Sequence, residues 1–413
     1  MEETIKNIIK RDIIEEIIKY LDTDNIIVLH GARQVGKTHI FYYLQDWLRA
    51  AGKPSYYFDL EDSRFVELLE SGPEATVDFL KGSGVDIAGL IKQSQTLYVF
   101  IDEIQRLSQP SPFLKLVADH YKYLRLIVSG SSSFDIKSKF SDSLVGRTVD
   151  FEIFNLSFRE FLRFKQRPFD LKVEPAGPIL DQLKRDYEEY VAYGGYPKVV
   201  LENDREKKEK YLQQIIDTYI QKDVRDLAQV RDVRKFNNLL KILASMSGQL
   251  LRVAELAKSC RLAQATVEHY LLILENTYVI KLLPPFSLNA KVEVVKAPKI
   301  FFYDTGLLQM LWFKKLSGSS QAGNVFETSV FAELVKHYGA DPLHYWRTKS
   351  QAEVDFILNE RGQMRPFEVK MNFNNFHAAA VQSFCEKYHL ADYWVVGLAG
   401  ERRKNNFIYP WQV

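Results

Sequence analysis

Cysteine is scarce in this 413-residue sequence, which contains only Cys260 and Cys385. The two lie far apart and form neither a Cys-x-x-Cys motif nor a Cys/His cluster, which excludes a disulfide framework and a structural zinc site. No apolar run approaches the roughly 18 residues that a membrane-spanning helix needs. We therefore expect a protein without membrane segments in a reducing compartment, the cytoplasm.

Neither sign of charge predominates, because 55 Lys and Arg face 53 Asp and Glu for a formal net charge of +2. Any nucleic-acid surface must therefore be a local patch. The 20 glycines and 14 prolines are too few for a collagen-like or low-complexity chain, and 46% hydrophobic residues can form substantial cores. At roughly 100 to 200 residues per domain, the length predicts two to four domains.

Short apolar runs separated by helix-length segments mark the first part of the chain, at 26–29, 56–58, 97–101 and 124–128. This order predicts βαβ units, and hence an α/β domain with a parallel sheet over residues 1–155. Isoleucines at helical spacing predict a further amphipathic helix near residues 4–21.

A phosphate-loop pattern follows the first of these runs and opens a helix, as the binding mechanism requires. Its residues are Gly31, Ala32, Arg33, Gln34, Val35, Gly36, Lys37 and Thr38. The glycines allow backbone N–H groups to surround phosphate oxygens, and the helix N-terminus adds positive potential. We expect Lys37 to reach the β- and γ-phosphates and Thr38 to offer its hydroxyl to Mg²⁺.

Two adjacent acids, Asp102 and Glu103, end the third apolar run. A carboxylate that emerges from a buried strand beside a phosphate loop can hold the hydrated Mg²⁺, and we expect Asp102 to do so. Glu103 points elsewhere and is predicted to orient and deprotonate the attacking water. The pair favours hydrolysis over transfer to a metabolite, so a small-molecule phosphotransferase ranks last among the candidate functions.

The phosphate loop, the paired acids and a later helical segment resemble the AAA+ ATPases over about residues 25–230. The resemblance implies ATP and Mg²⁺ as ligands, a helical lid over 156–232, and a ring or dimer as the homo-oligomeric state. It also implies that a polar residue after the next strand senses the γ-phosphate; Ser129 occupies that place, with Ser131 as the alternative. Arg147 is a candidate arginine toward a neighbouring nucleotide. The absence of an Asn-Lys-x-Asp motif favours ATP over GTP.

Helices predicted near 233–248, 253–260 and 264–276 have helix-turn-helix spacing, and strand-like runs at 278–282 and 299–303 complete a winged-helix pattern over 233–310. The last helix carries Glu268 and Glu275 but no Lys or Arg between Gln264 and Asn276. This composition weakens direct reading of DNA and leaves a protein partner as the alternative. A Ser/Gly-rich stretch at 316–320 is the predicted linker to the final domain.

Acidic residues recur on strand-like segments of the final domain, 320–413. Asp355 lies in an alternating acid and apolar run, and Glu368 and Lys370 are two apart, so they share one face of a strand. Asp355 and Glu368 can form an oxygen-rich site for Mg²⁺ or Mn²⁺, and Lys370 can orient a water or neutralise phosphate charge. With the upstream helical Glu327 as a further metal ligand, the pattern resembles the PD-(D/E)XK nuclease superfamily, an α/β restriction-endonuclease-like fold.

The order of segments resembles a prokaryotic family of AAA+ ATPases with a C-terminal nuclease-like domain. This resemblance includes the motifs 194–197 and 304–307, to which we assign no catalysis. The first predicted function is ATP hydrolysis coupled to metal-dependent cutting or handling of DNA or another nucleic acid. The alternative is an ATP-dependent regulatory switch that binds DNA or a protein partner and keeps a non-cleaving nuclease-like scaffold.

Overall fold

The computed structural model describes residues 8–130, 144, 146–167, 169–171, 174–175, 177–224, 228–230, 232–288, 297–313 and 322–413. The chain divides into two compact units, Met1–Phe154 and Asn155–Val413. The predicted linker at 316–320 and the alternative sensor Ser131 lie outside the described residues. No helix among the described residues is long and apolar enough to cross a membrane.

The first unit is an α/β layer structure. Its strands are β1 (Ile26–His30), β2 (Ser55–Asp59), β3 (Leu97–Asp102), β4 (Leu124–Gly130) and β5 (Thr148–Glu152). Its helices are α1 (Ile14–Ile18), α2 (Lys37–Ala50), α3 (Ser63–Glu70), α4 (Pro73–Gly82), α5 (Ile87–Lys92) and α6 (Pro110–His120). These strands pair in parallel in the order β2-β3-β4-β1-β5. The parallel sheet predicted from the apolar runs is confirmed, and β5 adds an edge strand.

The predicted helix near 4–21 is shorter in the structure. Only Ile14–Ile18 is α-helical among its described residues. Residues 8–11 run outside the helix, and the Arg11 guanidinium there donates hydrogen bonds of 2.8 Å to the Val35 carbonyl and 2.9 Å to the Phe154 carbonyl. These hydrogen bonds satisfy the buried guanidinium of Arg11. If the helix continued through residue 11, this side chain would point in another direction.

The second unit begins with helices. They are α7 (Phe158–Phe164), α8 (Pro178–Tyr193), α9 (Pro197–Leu201), α10 (Arg205–Ile215), followed by a π-helical stretch (Ile216–Val224), then α11 (Val233–Ser245), α12 (Val253–Cys260) and α13 (Gln264–Asn276). The bounds of α12 and α13 match those predicted from the sequence. Strands β6 (Ile280–Leu283) and β7 (Lys299–Phe302) then pair antiparallel. The backbone of residues 248–251 also bonds to β7, as when the Gly248 amide donates to the Ile300 carbonyl at 2.7 Å.

The last part of the second unit contains a mixed sheet. Its elements are α14 (Thr305–Phe313), α15 (Ala322–Tyr338), β8 (Leu343–Arg347), β9 (Glu353–Glu360), β10 (Gln363–Val369), α16 (Ala379–Tyr388), β11 (Trp394–Val396) and β12 (Phe407–Ile408). The described strands pair in the order β12-β11-β10-β9-β8. β8, β9 and β10 are antiparallel, whereas β10, β11 and β12 are parallel.

The motifs 194–197 and 304–307 meet each other. The buried Asp304 carboxylate accepts hydrogen bonds of 2.8 Å from the Gly195 amide and the Leu307 amide, and a third from the Asn155 side chain. One acid therefore holds the start of α14 and the turn between α8 and α9. These hydrogen bonds connect the two motifs, which the sequence analysis had not related to each other.

Candidate functional site

The loop between β1 and α2 lies at the carboxyl ends of the parallel strands, where α/β sheets bind ligands. Two of its residues have left-handed backbone conformations, Gln34 with φ 63° and Gly36 with φ 100°. Gly36 immediately precedes α2, and a side chain at such a φ would be strained. The loop therefore has the tight, glycine-dependent turn that the phosphate-loop pattern predicts.

Lys37 is buried at the base of this loop. Its ammonium donates hydrogen bonds of 2.9 Å to the Gly31 carbonyl and 2.8 Å to the Ala32 carbonyl. Burial lowers the pKa of Lys37 to about 8, and the negative charges of Glu103 and Asp102 oppose that shift. Both hydrogen-bond acceptors of this ammonium are neutral backbone carbonyls, so an anion at the loop would give it a negatively charged partner.

Asp102, at the end of β3, gathers hydroxyl groups from three elements. Its Oδ2 accepts hydrogen bonds of 2.6 Å from the Thr38 hydroxyl and 3.1 Å from the Tyr57 hydroxyl. Its Oδ1 accepts from the Ser129 hydroxyl at the end of β4. The structure thus brings Thr38, Asp102 and Ser129 together, although they are separated by up to 91 positions in sequence.

Glu103 turns away from its neighbour because its backbone is left-handed, with φ 56°. A short 3-10 turn follows at Ile104–Arg106, and within it the Gln105 amide donates a hydrogen bond to the Glu103 carboxylate. Burial raises the pKa of Glu103, while the positive charge of Lys37 lowers it. The two adjacent acids therefore occupy different environments. Asp102 accepts hydrogen bonds from three hydroxyl groups, whereas Glu103 is partly buried and accepts a hydrogen bond from the Gln105 amide.

Two residues of this site were not identified from the sequence. Tyr57 was interpreted as an apolar strand position, yet its hydroxyl reaches Asp102 because β2 lies beside β3. Gln105 is not part of the phosphate-loop pattern. Its side chain reaches the Glu103 carboxylate only because of the 3-10 turn that follows Glu103. A polar tip at the carboxyl end of a neighbouring strand was the available signal for Tyr57.

Arg147 lies at the start of β5, and its carbonyl accepts a hydrogen bond from the amide of Ile26, the first residue of β1. It therefore lies at the amino ends of β1 and β5, whereas the phosphate loop lies at the carboxyl end of β1. Its guanidinium forms an ion pair of 3.1 Å with Asp119. Its action on a neighbouring nucleotide stays a prediction.

Residues 23–162 match the family model described as an AAA domain. The five-stranded parallel sheet, the loop 31–38 and the Thr38–Asp102 hydrogen bond all lie within this segment. This segment is similar to AAA domains. Residues 184–320 and 322–411 match two models described as domains of unknown function, DUF8612 and DUF4143 respectively. The AAA-like segment thus precedes two segments whose family descriptions name no activity.

Curated relatives extend along most of the chain, and their printed names assign no function. An uncharacterized protein of Methanocaldococcus jannaschii is 26% identical over 379 residues, covering 87% of this chain and 80% of the relative. One of Haemophilus influenzae is 26% identical, covering 86% and 84%. One of Mycobacterium tuberculosis is 28% identical, covering 87% and 74%.

Solved structures with low sequence identity also align with the chain. The Walker-type ATPase of Pyrococcus abyssi is 13% identical with a TM-score of 0.49, covering 73% of this chain and 95% of that one. AMPPCP-bound DnaA of Aquifex aeolicus is 20% identical with a TM-score of 0.29, covering 63% and 86%.

A second cluster of charged side chains lies on the mixed sheet of the second unit. The Lys370 ammonium is 2.8 Å from the Glu368 carboxylate and 3.3 Å from the Asp355 carboxylate. The Val369 amide also donates a 2.8 Å hydrogen bond to Asp355. The structure therefore brings together Asp355, Glu368 and Lys370, as their strand positions predicted.

Glu327, on α15, has a partner that sequence analysis missed. The Lys299 ammonium is 3.1 Å from the Glu327 carboxylate and 2.6 Å from the Glu353 carboxylate. Arg347 pairs with the other oxygen of Glu353 at 3.1 Å. Lys299 had been interpreted only as the start of a strand, and no motif connected it with the acids of β9.

The electrostatics of this cluster are strongly coupled. The pKa of Glu368 is raised to about 8, chiefly by burial and also by the negative charge of Asp355, while the positive charge of Lys370 opposes the shift. Burial also raises the pKa of Glu327. Burial alone would lower the pKa of Lys299, but the carboxylates of Glu327, Asp355 and Glu353 outweigh it and raise that pKa.

Glu368 retains one buried carboxylate oxygen, Oε2, with no hydrogen-bond partner among the described residues. Such an oxygen is costly to bury and fits a cation. No group of three or more His, Cys, Asp or Glu side chains in the described part of the chain is arranged to hold a metal ion. The metal roles of Glu327, Asp355 and Glu368 stay predictions.

Proposed function

We propose that the protein hydrolyses ATP at the loop 31–38, with Mg²⁺ held beside Thr38 and Asp102. The observation that carries the proposal is the 2.6 Å hydrogen bond between these two residues, because it places the two magnesium-binding groups of P-loop enzymes side by side. When bound, Mg²⁺ would neutralise charge on the phosphate oxygens.

The other residues have complementary roles in this proposal. The loop amides and the N-terminus of α2 bind the phosphates, and Lys37 leaves its two carbonyl partners to bind the β- and γ-phosphates. Ser129, whose hydroxyl is hydrogen-bonded to Asp102, is the residue that senses the γ-phosphate. Glu103 accepts the proton of the attacking water, for which a pKa raised by burial makes it a better base.

Steady-state ATP turnover and equilibrium ATP binding test the proposal together. We expect Lys37→Ala to lose binding and Glu103→Gln to bind ATP without hydrolysing it. Glu74→Gln is the matched control, because Glu74 is an exposed acid on α4 of the same domain. Unchanged turnover in Glu103→Gln would contradict the assignment of the base.

A second activity is proposed for the acids of β9 and β10, namely metal-dependent cleavage of a phosphodiester bond. It is favoured by the unpartnered Oε2 of Glu368 next to Asp355 and by the Lys370 ammonium between the two carboxylates. Asp355 and Glu368 would hold Mg²⁺ or Mn²⁺, and Lys370 would neutralise charge on the phosphate or orient a water. Coupling to ATP hydrolysis is part of the same proposal.

The test incubates the full chain with linear, supercoiled and single-stranded DNA and with RNA, in Mg²⁺ or Mn²⁺, with and without ATP. Cleavage should vanish in Asp355→Ala and persist in Asp341→Ala, an exposed acid before β8. Cleavage that survives in Asp355→Ala contradicts the site.

If none of these nucleic acids is cut, the alternative is an ATP-dependent switch in which the acids serve only as a scaffold. The segment α11–α13 with β6 and β7 is then the partner-binding module, which we interpret as a winged helix. The exposed face of α13 presents Glu268, His269 and Leu272 and carries no Lys or Arg. This composition favours a protein partner over the phosphates of DNA.

A further inference from the structure

Seven charged side chains form two ion-paired groups in the second unit, one around Lys299 and one around Lys370, here together called the acid cluster. They are Lys299, Glu327, Arg347, Glu353, Asp355, Glu368 and Lys370. Four carboxylates and three cations leave a formal charge of −1. Glu368 belongs to the group around Lys370, and its Oε2 is buried without a hydrogen-bond partner among the described residues.

The two lysines of the cluster differ in freedom. The Lys370 side chain is 31% exposed and follows the last residue of β10, so it can swing toward solvent without moving a strand. The Lys299 side chain is only 3% exposed and begins β7. Its strand pairs with Leu283 of β6 and bridges to Leu250. Lys299 can therefore leave the acids only if the β6–β7 hairpin shifts.

We propose that the Lys299 ammonium is an internal counter-ion that competes with a divalent cation for the acid cluster. The inference rests on the metal-dependent activity proposed for Asp355 and Glu368. Lys299 pairs with Glu327, a predicted metal ligand, and with Glu353, which lies two residues before Asp355 on β9 and therefore on the same face of that strand. A fixed positive charge at this place weakens the attraction of the cluster for a second cation.

The origin of Lys299 gives this competition a regulatory consequence. The competing charge comes from the hairpin that follows α13, whereas the acids come from α15, β9 and β10. A partner that displaces the hairpin would withdraw the ammonium and increase the affinity of the acids for metal. Occupancy of the helix-turn-helix segment and metal loading would then be linked thermodynamically.

The test measures binding of Mn²⁺ alone to the full chain by isothermal titration calorimetry. All variants carry Asp102→Asn, so that the ATPase site contributes no binding. Lys299→Met and Lys299→Gln remove the charge; Gln keeps a hydrogen-bond donor in case Met fails to fold. Lys299→Arg keeps the charge. Lys281→Met is the matched control, because Lys281 lies on the same hairpin and pairs with Glu275 outside the cluster.

We expect Lys299→Met and Lys299→Gln to bind Mn²⁺ at least tenfold more tightly than the parent, with Lys299→Arg and Lys281→Met unchanged. Saturating Mn²⁺ should also raise the Tm of the two neutral variants by more than that of the parent, and Asp355→Asn should abolish both effects. Equal or weaker Mn²⁺ binding by the neutral variants overturns the role of Lys299 and leaves the metal site standing. An absence of Mn²⁺ binding to every variant overturns the metal site and the inference together.

Discussion

The Thr38 hydroxyl lies 2.6 Å from the Asp102 carboxylate and donates a hydrogen bond to it. This contact joins the first turn of α2 to the end of β3, two elements that the chain separates by 64 positions. The loop 31–38 and the strand-end acid therefore lie together, and the predictions for the proposed ATP hydrolysis start from this pair.

Loss of the Lys37 charge should prevent nucleotide binding. Lys37→Ala removes a charge-assisted contact with the phosphates, so ATP should bind at least about tenfold more weakly. Titration with a fluorescent ATP analogue measures this. Lys92→Ala, at an exposed position at the end of α5, should bind as the wild type does. Equal affinity in the two variants would show that Lys37 does not contact the nucleotide.

Tyr57 should act as a positioning residue for Asp102. Tyr57→Phe removes one hydroxyl donor to the carboxylate but keeps the ring against Phe41 and Tyr42. Because one hydrogen bond contributes about 0.5 to 1.5 kcal/mol, the Mg²⁺ concentration that half-activates ATP turnover should rise about two- to tenfold. Tyr56→Phe, at the preceding position of β2, should leave the Mg²⁺ titration unchanged. A drop in Tm without a shift in the Mg²⁺ titration would indicate a purely structural role.

ATP turnover should fall on the acid side of a pKa that lies above the ordinary glutamate value of 4.5, because burial raises the pKa of Glu103. Glu103 is a base only when ionised, so the rate is full above the raised pKa and is lost as the pH falls through it. The Gln105 amide favours the ionised carboxylate, and Gln105→Ala should move the acid limb to higher pH. The pH dependence of kcat measures both effects, with Gln93→Ala as an exposed control. If the acid limb does not move in Gln105→Ala, Gln105 does not influence the pKa of the catalytic base.

Gly194 should tolerate no side chain. Its φ is 74°, and a Cβ atom would lie 2.2 Å from Oδ1 of the buried Asp304. Gly339 also has a positive φ, 78°, but a Cβ there meets no atom within 4 Å. Gly339→Ala therefore costs only the backbone strain, about 1 kcal/mol, whereas Gly194→Ala should lower the free energy of unfolding by about 2 kcal/mol more. Urea denaturation of both variants measures the difference. Equal losses of unfolding free energy would mean that the turn at 194–195 shifts to make room for the added Cβ beside Asp304.

Local patterns predicted much of the fold. Strands β1 to β4 and the helices α12 and α13 follow from apolar spacing, because one face or both faces of each must be buried. Strand β5 escaped because it lies at the edge of the sheet and is only partly buried, so it lacks a continuous apolar run. The N-terminal helix was overestimated because isoleucine spacing does not register the buried contacts of Arg11.

Candidate site residues were predictable where one motif contains them. Lys37, Asp102, Asp355 and Glu368 come from recognisable strand or loop patterns. Tyr57 and Lys299 could not be found that way, because their contacts depend on which strands become neighbours and on how the β6–β7 hairpin meets α15. Long-range pairing, rather than residue type, decides their roles.

The most direct test of the central claim measures ATP binding and ATP hydrolysis in the same preparation of Glu103→Gln. The account predicts an affinity for Mg·ATP close to that of the wild type and a turnover at least about 100-fold lower, because the nucleotide remains held while the attacking water has no base. Wild-type turnover in this variant, or a loss of ATP binding equal to that of Lys37→Ala, would contradict the account.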